Sequence, residues 1–342
     1  MNSFLAVIVT TIISFILTPF VIKLAHRIGA IDVPKDDRRV HSVPIPRIGG
    51  LAIYFASLVG IIFFSNLSSQ KIIGFIIGSS IIVGTGFIDD LRPLKAKTKL
   101  LLQILAAMVI YYFGFRISFF TNFFNPVEMV FLKSLSFPIT VLWIVGVTNT
   151  INLIDGLDGL AAGVSLIVAI TLAYVTLTFN RFDIFMLSLI LIGSLLGFLP
   201  YNFNPAKIFM GDTGALFLGF TLAAITIDGV MKTVSTVVIF LPILALGLPL
   251  FDTSFAIFRR IKDKKPIMSP DKGHLHHRLL SLGLNQKRAV LTLYLTTSML
   301  GISVISLTNS RWLAAYISLG IAIITVLVPI IKTEKRKKNE KN

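Results

Sequence analysis

Apolar residues in this chain fall in long runs separated by short polar breaks, without the strict alternation of a barrel strand. A helix that crosses the hydrocarbon of a bilayer needs ~20 mainly apolar residues. Stretches near that length recur at roughly 4–24, 48–64, 72–88, 100–115, 137–153, 159–179, 184–199, 209–227, 234–257, 289–308 and 312–331. The pattern predicts about eleven spans, or ten if one of the shorter, Gly- and Pro-bearing runs stays out. Lipid cannot hydrogen-bond a bare backbone, so each run must close its own bonds as a helix. The expected fold is an all-α, polytopic membrane bundle forming one domain over 1–342. No internal repeat or linker interrupts it. The first run has no basic residue before Lys23 and no small-residue cleavage pattern after it, so it reads as a retained helix rather than a secretory signal. A Phe- and Asn-rich segment, 116–136, reads as an interfacial hairpin.

Composition agrees: 55% of the 342 residues are hydrophobic and 14% charged, which sets aside an ordinary soluble domain. Charge then orients the bundle, because Lys and Arg concentrate in short cytoplasmic loops. With the N-terminus outside, all but six of the 32 Lys and Arg lie on one side; the six are Lys71, Arg116, Lys133, Arg181, Lys232 and Arg311. The C-terminus, a basic tail at 332–342 and the loops 26–47, 89–99, 154–158, 200–208 and 258–288 are therefore expected in the cytoplasm. A net charge of +16 on that face suits anionic lipid and phosphorylated ligands. Nucleic acid is not an expected partner, since the basic residues are dispersed among short loops rather than gathered in a patch. The absence of cysteine excludes disulfides and thiolate metal sites.

Acidic residues interrupt the apolar runs at Asp89-Asp90, Asp155 with Asp158, Asp212 and Asp252, and a His274-Leu275-His276-His277-Arg278 run follows. On the expected topology Asp89, Asp90, Asp155, Asp158, Asp212 and the histidines converge on one membrane face. Carboxylates at a bilayer rim need partners, and adjacent ones repel unless a cation lies between them. Oxygen-only ligands favour a hard divalent ion, and Mg²⁺ takes one or two carboxylates plus substrate phosphates. In Asn149–Gly163, Asn152, Asp155 and Asp158 project together if the segment is even partly helical. Asp212 stands where a helix begins, beside free N–H groups suited to phosphate oxygens. His274, His276 and His277, near Arg278 and Lys272, favour a cationic grip on phosphates over a zinc site. No Walker lysine motif or complete dinucleotide fingerprint occurs. A secondary transporter is the competing class, but its acids belong near the midplane and its halves should be related.

Four motifs in order, with Pro46-Arg47-Ile48-Gly49-Gly50 ahead of them, carry a resemblance. They are Gly86-Phe87-Ile88-Asp89-Asp90, Asn149 to Gly163, Asn204 to Gly214 and His274 to Leu279. Over about residues 30 to 285 the chain resembles the polyprenyl-phosphate N-acetylhexosamine-1-phosphate transferases. Its His-x-His-His-Arg form is more similar to the branch that initiates wall teichoic acid and O-antigen or common-antigen synthesis than to the peptidoglycan branch.

The resemblance implies a Mg²⁺-dependent transferase of the bacterial cytoplasmic membrane, with Mn²⁺ as a substitute ion and a homodimeric assembly. Its substrates would be UDP-N-acetylglucosamine (UDP-GlcNAc) and undecaprenyl phosphate, its products undecaprenyl-diphospho-GlcNAc and UMP. UDP-muramoyl-pentapeptide or another UDP-N-acetylhexosamine is the alternative donor. By the same resemblance Asp212 is a metal ligand. Asp89 or Asp90 completes the metal site or deprotonates the lipid phosphate, and Lys99 holds that phosphate. Asn152, Asp155 and Asp158 form a uridine pocket with Phe209 stacked on the base. His274, His276, His277 and Arg278 hold the nucleotide sugar, with His276 among the catalytic groups, and Arg259-Arg260 assist recognition. Direct displacement is favoured over an aspartyl-phosphate on Asp89 or Asp90. Asp252 receives no role.

Overall fold

The computed structural model describes residues 2–33, 43–121, 129–231, 240–264 and 273–339. Helices occupy the positions that the apolar runs predict. In chain order they are α1 (Asn2–Ile28), α2 (Gly50–Phe64), α3 (Ser69–Leu91), α4 (Ala96–Tyr112), α5 (Ser136–Ile154), α6 (Leu160–Thr178), α7 (Phe182–Asn202), α8 (Gly211–Ile225), α9 (Phe240–Ala245), α10 (Gly247–Lys262), α11 (Leu275–Ser281), α12 (Gln286–Thr308) and α13 (Trp312–Asn339). Eight helical segments among the described residues are long and apolar enough to cross a membrane. The second and fourth expected spans are the shorter α2, of 15 residues, and α4, of 17.

The run at 234–257 departs from expectation. Its described part is two helices, α9 and α10, parted at Leu246. Pro249 explains the break: it has no N–H to return to the carbonyl of Ala245, but it is tolerated in the first turn of a new helix. Two short antiparallel ladders complete the fold. β1 (Ile31–Asp32) pairs with β2 (Ile45–Pro46), and β3 (Phe119–Thr121) pairs with β4 (Met129–Phe131), the antiparallel pairing a hairpin at 116–136 calls for; residues 122–128 of that segment lie outside the described set. The basic tail begins inside α13; Lys272, residues 34–42 of the 26–47 loop and the last three residues lie outside the described set.

α8 is the axis of the bundle. Its apolar window is 100% buried, against 28% for α1 and for α13 at the periphery. α3 and α5 flank it, and α2 and α6 also touch it. Large apolar side chains such as Phe4, Phe20, Leu313 and Ile324 point outward, the inverse of a soluble surface and the form a lipid-facing helix takes. Because lipid is as apolar as leucine, helices in a membrane associate through close backbone approach rather than hydrophobic exclusion. The contact of α1 with α7 shows this. Gly193 and Gly197, four apart on α7, face Thr10 and Thr11; a Cβ would lie 2.0 Å from Thr10 Oγ1 at the first and 2.2 Å from the Thr11 carbonyl oxygen at the second. The Thr10 and Thr18 hydroxyls donate to the carbonyls of Ala6 (2.8 Å) and Ser14 (2.7 Å), so their burial leaves no polar atom unpaired.

Candidate active site

Asp89 and Asp90 sit in the last turn of α3, Asp212 in the first turn of α8 and Lys99 in the first turn of α4. Asp90 is sealed in. Its Oδ1 accepts from Arg47 Nη2 at 2.9 Å, Arg47 Nε at 3.1 Å and the Asp212 N–H at 3.0 Å. Its Oδ2 accepts from the Thr213 N–H at 3.0 Å and the Thr213 hydroxyl at 2.6 Å. Two of the N–H groups expected at the start of α8 for a phosphate, those of Asp212 and Thr213, are thus taken up by Asp90, because the packing of α3 on α8 places that carboxylate on the helix end. Arg47 arrives through backbone pairing. Phe209 N–H donates to the Pro46 carbonyl (2.7 Å), and the Gly49 and Gly50 N–H groups donate to the carbonyls of Phe209 and Met210 (both 2.9 Å). The sequence signal for Arg47 is a basic residue just ahead of two glycines in Pro46–Gly50. Those glycines permit the approach, since a Cβ on Gly50 would lie 2.1 Å from the Gly214 nitrogen.

Asp89 and Asp212 face the opposite way and share one cation. Lys99 Nζ lies 3.0 Å from Asp89 Oδ2 and 2.6 Å from Asp212 Oδ2. Asp89 Oδ1 also accepts the Leu94 N–H at 2.7 Å. Among the described residues no group of three or more His, Asp or Glu is arranged to hold a metal ion. The donor set still fits Mg²⁺: two carboxylates already converge on one positive charge, and this ion takes its remaining ligands from water and phosphate. The structure therefore separates two acids that the sequence left interchangeable. Asp89, with Asp212, flanks the Lys99 ammonium, and Asp90 braces α8.

The loop between α5 and α6 supplies the next wall. Asn152 lines the cavity described below. Asp155 follows α5 directly; loss of hydration in the cleft, with Asp212 and Asp90 nearby, pushes its carboxyl up to about 8. Asp158 turns elsewhere. Its Oδ2 accepts from Asn204 Nδ2 and the Ala206 N–H, both at 3.0 Å, and Asn204 also donates to Gln286 Oε1 at 3.0 Å. Asp158 thus ties the α5–α6 loop to the 200–208 loop and the start of α12. Phe209 contributes backbone bonds to the Pro46–Gly50 segment, and its half-buried ring is not part of the cavity wall.

His274, His276 and His277 all reach the same space. His276 packs so closely on the loop that a Cβ on Gly156 would lie 2.5 Å from its Nε2. Burial, then the neighbouring His277, lowers His276 to about 3, so it is a neutral hydrogen-bonding group at neutral pH and not part of a cationic grip. Arg278 is engaged outside the cavity: its Nε donates to the Gly273 carbonyl (3.0 Å), its Nη1 to Thr333 Oγ1 (3.2 Å), and its guanidinium covers Phe255. Arg260, buried, supplies a cation within the wall.

These groups crown a cavity of about 1070 Å³. Lys99, Asn152, Arg260 and the histidines form its polar end. From there it continues along α5 past Val147, Gly146, Trp143 and Ile139 to Ile117 and Phe119, with Leu250, Ile257 and Ile243 opposite.

A model of the family described as glycosyl transferase family 4 matches residues 72–230. A Bacillus subtilis (strain 168) protein described as a probable undecaprenyl-phosphate N-acetylglucosaminyl 1-phosphate transferase is 44% identical over 337 residues, covering 98% of this chain and 93% of the relative. The chain belongs to glycosyl transferase family 4. A family member from Mycobacterium leprae, described as a decaprenyl-phosphate N-acetylglucosaminephosphotransferase, is 35% identical over 96% of this chain and 89% of its own length. A phospho-N-acetylmuramoyl-pentapeptide-transferase of Staphylococcus saprophyticus is 33% identical over 87% of this chain and 98% of its own. The stretch matched by the glycosyl transferase family 4 model contains Asp89, Asp90, Lys99, Asn152, Asp155, Asp158, Phe209 and Asp212 and ends before the histidines.

Proposed function

We propose that this integral membrane protein transfers GlcNAc-1-phosphate from UDP-GlcNAc to undecaprenyl phosphate, releasing UMP, at a site facing the cytoplasm of a bacterial cytoplasmic membrane. One observation carries the reading. Lys99, paired with the carboxylates of Asp89 and Asp212, stands at the polar end of a long apolar cavity that offers room for a prenyl chain beside its charged head. The names of the similar proteins from Bacillus subtilis and Mycobacterium leprae support a GlcNAc donor and a polyprenyl phosphate acceptor. The excess of basic residues on one side supports the cytoplasmic placement.

An oxygen of the lipid phosphate attacks the β-phosphorus of UDP-GlcNAc; the bond to the bridging oxygen breaks, and its electron pair leaves with UMP. Asp89 and Asp212 would hold Mg²⁺, or Mn²⁺ in its place. Bound there, the ion supplies charge neutralisation and electrophilic activation of the diphosphate. Lys99 stands between these carboxylates at the cavity mouth, placed to contact a phosphate oxygen. Asp90 keeps the start of α8, and so Asp212, in register with α3. Because a phosphate monoester is largely ionised near neutral pH, the acids act by positioning and charge more than as strong bases. Asn152 and Asp155 bound the nucleotide side, and neutral His276 offers a hydrogen bond rather than a charge.

The donor is tested by UMP release from purified protein with undecaprenyl phosphate and Mg²⁺. UDP-GlcNAc is expected to support release and UDP-muramoyl-pentapeptide is not; release with the pentapeptide donor alone would move the chain to the other branch of its relatives.

A further inference from the structure

We propose that Asp252 is a positioning residue that fixes which ring nitrogen His274 presents to the nucleotide-sugar end of the cavity. The inference rests on the transferase reading for its catalytic consequence, but its structural content stands apart from it.

Asp252 lies on α10 and is 4% exposed; His274, just ahead of α11, is 6% exposed. Asp252 Oδ2 is 2.9 Å from His274 Nδ1, and Asp252 Oδ1 accepts the Leu275 N–H at 2.8 Å. An ionised carboxylate can only accept, so Nδ1 must carry a proton, and Nε2 is left at the far edge of the ring. That ring lines the cavity and lies parallel to His276, with centroids 5.8 Å apart and planes 6° apart. The backbone on its other side is also held. The Gly273 carbonyl accepts from Arg259 Nη1 (3.2 Å) and Arg278 Nε (3.0 Å), and both guanidinium groups cover Phe255 of α10. One face of α10 thus sets both the position and the tautomer of His274, while Ser254, Ile257 and Arg260 of the same helix line the cavity.

The isosteric change Asp252→Asn separates the two bonds. The amide oxygen can still accept from Leu275, so the start of α11 keeps its partner. The amide NH₂ would face Nδ1 and favour the Nε2–H tautomer, turning an acceptor toward the substrate into a donor. Carboxylates that orient metal-bound imidazoles are worth about ten- to hundred-fold in activity, and a loss on the same scale is expected where Asp252 orients His274.

The test is solid-state NMR of lipid-reconstituted protein labelled at the histidine ring nitrogens, with His274→Gln assigning the signals, alongside UMP release. Wild type is expected to show a protonated His274 Nδ1 and D252N an unprotonated one. D252N should turn over about ten- to hundred-fold more slowly, and D252N/H274Q no more slowly than H274Q alone, because Asp252 acts through His274. A wild-type His274 protonated only at Nε2, an unchanged tautomer in D252N, or multiplying losses in the double variant would each overturn the proposal. Should D252N fail to fold, Asp252→Glu is expected to keep the Nδ1–H form, and its loss there would count equally against the idea. The NMR measurement needs no substrate, so wild-type protein inactive with UDP-GlcNAc would sink the proposed reaction while the tautomers still decide the role of Asp252.

Discussion

Asp89 and Asp90 are neighbours in sequence with separate duties, because consecutive residues on a helix point about 100° apart. The division predicts opposite phenotypes. Asp90→Ala strips the acceptor from Arg47, two N–H groups and the Thr213 hydroxyl, and should cost about 3 kcal/mol of stability, since it leaves a half-buried guanidinium and the buried Thr213 donors without their partner. Asp212→Asn should leave the thermal midpoint nearly unchanged but slow turnover by about 100-fold or more, the scale of losing a group that stabilises transition-state charge. Melting curves in detergent and UMP release distinguish them; equal stability losses in the two variants would refute the division. A pH effect follows at Asp155. Its folded carboxyl titrates at about 8, above the ordinary value of roughly 4, so ionisation opposes folding increasingly as pH rises from about 4 to 8. Asp155→Asn removes that penalty, and without substrate or metal it should melt at a higher temperature than wild type at pH 8.5 but not at pH 4. That these residues belong together was legible from their motifs. Which acid faces Lys99 was not, because it depends on the rotation of α3 against α8. His276 read as a cation for a similar reason, since its burial arises from the α5–α6 loop far away in sequence.

At the level of elements, close backbone approach governs function as well as packing. A Cβ on Gly86 would lie 2.5 Å from the Asp212 carbonyl group and the Thr213 nitrogen, so α3 meets α8 at the site itself. Gly86→Ala should therefore displace Asp212 at a cost of about 1–3 kcal/mol, with activity falling further than stability. Turnover that stays within twofold of wild type while the melting point drops would show that the contact serves packing alone. The apolar runs announced the helices because burying or facing lipid demands them. They did not announce the break at Leu246, where a proline in the middle of an apolar run reads equally as a kink. They also did not announce α11, a seven-residue helix too short for a hydrophobic period. Gly193 and Gly197 were likewise silent, since a pair of glycines four apart gains meaning only when Thr10 and Thr11 are found opposite.

Over the whole molecule, the central feature is a polar site joined to an apolar cavity that runs along α5. Gly146 lines the cavity, and a Cβ added there meets nothing within 4 Å. Gly146→Phe should thus fold normally while filling the space. It is expected to raise the KM for undecaprenyl phosphate by about tenfold, roughly 1.4 kcal/mol, and to change the KM for UDP-GlcNAc little; the reverse selectivity would place the prenyl chain elsewhere. The gathering of the motif acids at one end was legible from topology alone, while Asp183 and Asp228 pair with Lys71 and Arg181 at the other. The cavity was not, because its walls come from helices that sequence cannot set side by side.

The reaction type is tested most directly with UDP-GlcNAc carrying ³²P at the β-phosphorus, purified protein, Mg²⁺ and undecaprenyl phosphate. The account predicts that the label moves into the lipid fraction as undecaprenyl-diphospho-GlcNAc while unlabelled UMP appears. Label retained in released UDP would show transfer of the sugar alone, and would contradict phosphoryl transfer at Asp89, Lys99 and Asp212.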